Sequence, residues 1–183
     1  MFATIYLPDF YLQAALRYLP DLRDKPVALL DDQAKKAVIV QLNVAAEQAG
    51  VHRGMTPSQG LARCLQLQVR TRRLSQEKIV QEILFHLAGT LAPYVEATGD
   101  GIATVQFTHN KNLSQHVTRV IEQLAAAEVI AQAGIAPTPD ASFLAAHLGI
   151  PVLQIDDVKN FLARLPIETL MIGQESYSWD RQP

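Results

Sequence analysis

Prolines cut the apolar sequence of this chain into short pieces, and that restricts what it can become. Pro8 ends an apolar run over residues 2–7, Pro20 stops a helical pattern over 10–19, and Pro26 leads into Val27-Ala28-Leu29-Leu30. Further on, Pro57 follows Thr56 at the start of another helical stretch, and Pro93 breaks a long one. Proline has no N–H to give to a helix or a ladder, so these positions mark boundaries. No apolar run approaches the ~18 residues of a membrane span, and no transmembrane helix is expected.

Between the boundaries, short β-like runs alternate with helical spacing. Strands are expected over residues 2–7, 26–30, 37–42, 67–71, 94–98, 102–107, 129–135 and 151–155. Helices are expected over 10–19, 43–50, 58–65, 75–91, 113–127, 139–148 and 158–165, and another is expected to begin within 167–172. Asp9, Thr56 and the pair Asp156-Asp157 are the expected N-caps, Asn43 the expected start of a short helix with Gly50 its C-terminal cap, and residues 174–183 a frayed tail. The order of these elements implies an α+β domain: one sheet with helices on one face, and residues 12–71 inserted after its first strand.

Composition narrows the setting. Apolar residues make up 49% of the 183, enough for a sizeable core, and the net charge is only −2. A strong grip on duplex DNA normally needs a basic surplus, so autonomous DNA binding is expected to be weak or absent. Cys64 is the single cysteine; with no disulfide framework possible, a reducing cytoplasm is the expected compartment. His52, His86, His109, His116 and His147 form no metal-ligand pattern, and neither a nucleophile elbow nor a phosphate loop is present.

Several motifs carry a family likeness. They are Asp9-Phe10-Tyr11, Lys25-Pro26-Val27, the stretch from Asn43 to Met55, Leu61-Ala62-Arg63-Cys64 and Gly134-Ile135-Ala136, in that order. The chain resembles the palm and fingers of Y-family translesion DNA polymerases of the DinB/UmuC type, and within them the ImuB-like noncatalytic branch. The resemblance implies a ferredoxin-like palm over residues 1–11 and 74–166 and a small α/β fingers subdomain over 12–73. Residues 167–183 would be the start of a truncated thumb or a frayed tail.

The resemblance also identifies what is missing. Where the family places a metal-binding aspartate on its first strand, this chain has Tyr6; where it places an Asp-Glu pair on a hairpin, it has Asp100 and Gly101. A phenol with a pKa near ~10 is no anionic ligand at neutral pH, and two-metal phosphoryl transfer needs several carboxylates. The triphosphate-gripping tyrosine and arginine are replaced by Val44 and Glu47, the latter a reversal of charge. The lysine expected near the end of a later helix is absent from Ala145-Ala146-His147-Leu148-Gly149. Asp100 reads as a turn residue between glycines.

The resemblance therefore implies a pseudoenzyme without catalytic, metal or cofactor sites. It would act as an adaptor in SOS-type mutagenic repair, meeting a RecA-like accessory and a replicative polymerase. His52, Arg53, Arg70, Arg72 and Arg73 are candidate nucleic-acid contacts. Two other readings stay open: an active nucleotidyltransferase with a displaced site built from Asp9, Glu96 and Asp100, or a small-ligand-binding α+β domain.

Overall fold

A computed structural model describes residues 1–31, 37–108 and 111–172. The chain divides into two compact units, one of Met1–Pro8 with Glu82–Pro183 and one of Asp9–Gln81. The expected tail 174–183 and His109 lie outside the described residues.

The first unit is built on a five-stranded sheet of order β5-β6-β1-β7-β8. Its strands are β1 (Phe2–Tyr6), β5 (Tyr94–Gly99), β6 (Ile102–Gln106), β7 (Gln132–Ala136) and β8 (Val152–Gln154). β1 lies in the centre, antiparallel to both β6 and β7. Side chains alternate across a strand, so Ala3 and Ile5 share one face with their partners Ala103, Val105, Ala133 and Ile135. All six are fully buried. α4 (Leu74–Ala88) and α5 (Leu113–Ala126) bring apolar cover to this unit through Leu84, Ala88, Val117, Val120 and Leu124.

The other face of the sheet carries Thr4, Thr104 and Gly134 at one level. α6 (Pro139–Leu148) sits directly on it. Gly134 makes that possible: a Cβ there would lie 2.6 Å from the Ala145 carbonyl carbon. Thr4 Oγ1 bonds Ser142 Oγ of α6 at 2.8 Å and Thr104 Oγ1 at 3.1 Å, so the buried hydroxyls satisfy one another. The expectation of helices over one face is thus joined by a helix on the second.

The strand expected over 129–135 starts later, at Gln132. Residues 127–129 instead close α5: Glu128, at φ 62°, donates to Ala125 O, and Val129 donates to Leu124 O. This is a Schellman closure with glutamate in the usual glycine place. Of the expected pair Asp156-Asp157, Asp157 caps α7 (Val158–Ala163). Residues 167–171, expected to begin a helix, form a short 3-10 turn.

The second unit holds a three-stranded sheet of order β3-β2-β4, from β2 (Val27–Leu30), β3 (Ile39–Leu42) and β4 (Gln68–Thr71). α1 (Phe10–Leu16) packs Leu12, Ala15 and Leu16 on the face of Val27, Leu29 and Val40. On the opposite face, Ala46 of α2 (Val44–Gln48), Val51 and Leu67 meet Ala28 and Ile39. Asn43, the expected start of a helix, caps α2 and also clamps the sheet: its Oδ1 accepts from Val27 N and Ala46 N, and its Nδ2 donates to Lys25 O. Thr56 caps α3 (Pro57–Arg63) in a full capping box with Gln59. Asp9 departs from expectation. It stands before α1 in a left-handed conformation and its side chain makes no capping bond.

Candidate functional site

β1 ends beside the β5–β6 hairpin. Tyr6 pairs with Ile102, and Leu7 N donates to Gly101 O at 2.9 Å. The fold therefore brings together Tyr6, Asp100 and Gly101, positions far apart in sequence. Asp100 is exposed, while Gly101 is buried at φ 70°. A side chain at that φ is strained by roughly 1–2 kcal/mol, which favours glycine.

The space against Tyr6 is taken by α6. The Tyr6 and His147 rings stack at 4.0 Å between centroids with a 24° interplanar angle, and Phe143 abuts His147 at 4.4 Å. His147 Nδ1–H donates to the Phe143 carbonyl at 2.9 Å, which fixes the ring one helical turn above Phe143. Burial pushes the His147 pKa below the ordinary imidazole value, and that hydrogen bond opposes the shift only in part. Burial thus disfavours the charged form of the imidazole beside the Tyr6 ring.

Carboxylates are sparse around this point. Glu96 lies on β5, two strands from β1, roughly 10 Å across the sheet at ordinary strand spacing. Asp9 belongs to the other unit. Among the described residues, no group of three or more His, Cys, Asp or Glu is placed to hold a metal ion. One exposed aspartate and a stacked phenol are not the donor set of a divalent pair, which prefers several carboxylate oxygens.

In the second unit, Val44 and Glu47 both lie exposed on α2, Val44 in its first turn. Glu47 is near Asp9. Burial raises the Asp9 pKa, Arg53 opposes that at 3.7 Å, and the Glu47 charge adds to it. The local field is mixed, with two carboxylates and one guanidinium, and does not favour a triphosphate.

The five basic candidates do not form one patch. His52 and Arg53 sit on a loop bonded to β3 through Gly54 N and Ile39 O, at one edge of the sheet. Arg70 is on β4 at the other edge, and Arg72 and Arg73 follow it. Of the five, Arg72 is already engaged within the chain. Its Nε and Nη2 both donate to Glu77 at 2.9 Å, and its guanidinium lies 3.6 Å from the Tyr11 ring centroid. The bidentate bond to Glu77 chiefly raises its already high pKa. A guanidinium engaged on its edge and its face has little left to offer a phosphate.

His147 is the site residue that sequence reasoning did not single out. The spacing Phe143-x-x-x-His147 was visible and puts the two rings on one helix face. Their partner Tyr6 became apparent only from the pairing of β1 with β7, on which α6 rests.

The family model described as IMS, the impB/mucB/samB family, matches residues 5–147. This chain belongs to the impB/mucB/samB family. Among curated members, DNA polymerase IV of Legionella pneumophila is 26% identical over 170 residues, covering 88% of this chain and 48% of the relative. DNA polymerase IV of Serratia proteamaculans is 25% identical with the same coverage. The chain thus spans about half the length of the curated relatives it matches. Among solved structures, a post-insertion binary complex of Dbh DNA polymerase superposes with a TM-score of 0.80 at 19% identity, over 92% of this chain and 52% of that one. DinB from Sulfolobus solfataricus gives 0.78 at 18% over the same shares. At these identities the likeness establishes the fold, an α+β arrangement shared with Y-family polymerases. No described helix is long and apolar enough to cross a membrane.

Proposed function

We propose that this chain is a noncatalytic, ImuB-like member of the family, serving translesion DNA repair as an adaptor. The observation that carries the reading is the Tyr6–His147 stack. Where the family resemblance calls for an anionic metal ligand on the first strand, a phenol is packed against an imidazole from α6 whose charged form burial disfavours. Gly101 at φ 70° and the exposed Glu47 support it from separate places in the chain. In this reading residues 1–11 and 74–166 make the palm-like body and residues 12–73 the fingers-like one. Its partners would be the proteins of a mutagenic repair complex, a RecA-like accessory and a replicative polymerase, met in the cytoplasm.

The name DNA polymerase IV carried by its relatives favours a second reading, an active nucleotidyltransferase. Primer extension with Mg²⁺ and then Mn²⁺ separates the two. The adaptor reading expects no incorporation above that of a heat-inactivated sample. Robust incorporation that Asp100→Ala abolishes would overturn it.

A further inference from the structure

β4 is the outer strand of the three-stranded sheet, and its free edge is formed in an unusual setting. Gln68 N and Arg72 N donate inward to Pro26 O and Leu30 O of the β2 side. Main-chain groups alternate along a strand, so the N–H and C=O of Val69 and Thr71 point outward. No described strand stands there. Beside this edge runs a cleft of about 410 Å³, lined by Ala15, Tyr18, Leu19, Arg70 and Arg73 with Val69, Thr71 and Gln76. Tyr18 is 65% exposed and Leu19 37%. The cleft has two cations, Arg70 and Arg73, and no carboxylate in its lining, and both arginines are exposed.

Exposed edges are normally blunted because they recruit further strands. Here the ladder groups, an apolar floor and the exposed guanidiniums of Arg70 and Arg73 coincide. We propose that this edge is a docking site for an acidic, extended segment of a partner protein, which adds to β4 as a further strand. The segment would pair with the main chain of Val69 and Thr71. On the face toward α1, one apolar side chain would rest on Tyr18 and Leu19, while flanking carboxylates meet Arg70 and Arg73. A peptide fits this surface better than nucleic acid does. A phosphate backbone answers the cations but cannot satisfy alternating strand N–H and C=O groups, and no duplex-scale basic surplus accompanies them. The inference goes beyond the adaptor reading, since the edge is equally open in a chain that extends primers.

The probe is the fluorescein-labelled peptide Thr-Glu-Thr-Leu-Thr-Glu-Thr, whose glutamates and leucine share one face when extended. Fluorescence anisotropy with the whole chain should show saturable binding at or below about 1 mM. The double variant Arg70→Glu/Arg73→Glu should bind at least about tenfold more weakly. Methylating the alternate peptide nitrogens that would face β4 should weaken binding to the unaltered chain by a similar factor, a control that needs no folded variant. Thr71→Pro removes only an outward N–H, so it should abolish binding while leaving the melting temperature within a few degrees. Absence of saturation at 1 mM overturns the proposal. Equal binding of the methylated peptide also overturns it, since charge alone would then account for the affinity. Displacement by an equal concentration of oligothymidine would assign the edge to nucleic acid instead.

Discussion

Replacing Gly134 with alanine should loosen α6 from the sheet and open the Tyr6–His147 stack with it. The added Cβ would lie 2.6 Å from the Ala145 carbonyl carbon and inside the contact distance of Ser142 O and Ala146 N. Carbon atoms rest at about 3.5–4.0 Å, so α6 has to retreat by about 1 Å. These neighbours are main-chain atoms and cannot rotate aside. The retreat stretches the 2.8 Å bond between Thr4 Oγ1 and Ser142 Oγ past hydrogen-bonding range, a loss of about 1 kcal/mol. Overpacking against the buried Ala145 and Ala146 adds about 1–3 kcal/mol. A total near 3 kcal/mol corresponds to a fall in Tm of roughly 6–12 °C for a chain of this size. Urea and thermal melts followed by circular dichroism measure it, and the His147 ring resonances report the stack. A loss below about 1 kcal/mol, with those resonances unmoved, would refute the claim that α6 is seated by the missing side chain at 134.

Three further outcomes follow from the same packing. His147 has a pKa lowered by burial, so between that folded value and the ordinary 6.5 the unfolded chain binds more protons. Stability should therefore rise with pH through that window and be lost as pH falls through it; His147→Phe should flatten the dependence in urea melts at a series of pH values. Asn43→Ala should cost about 2–3 kcal/mol, because it removes the α2 cap and leaves the N–H of the buried Val27 without its acceptor; hydrogen exchange at Val27 should accelerate accordingly. Arg72→Lys should cost about 1–2 kcal/mol, since an ammonium cannot reproduce the paired bonds to Glu77 or the fit over Tyr11; a Tm unchanged within error would show that pair to be dispensable.

Most elements and several of their caps are legible in the chain. Thr56-Pro57, Asn43 and Gly50 are local signals, read by the backbone within a few residues, and the structure puts each at the helix end it announced. The family was likewise legible in motif order, and the match over residues 5–147 agrees with it. Where local signals competed, reading failed. Val129 and Ile130 are β-branched and looked like strand, but Val129 is used to close α5. Asp9 resembled a cap, yet its side chain turns toward Arg53. The surroundings of Tyr6 come from long-range packing. Strand pairing sets Tyr6 beside the hairpin of Asp100 and Gly101, and the bare Cα of Gly134 lets α6 bring His147 onto its ring. The same holds for the split of the basic residues between two sheet edges and for the outward ladder groups of Val69 and Thr71. Contacts between residues distant in the chain depend on strand order and register, and no local pattern in the chain encodes those.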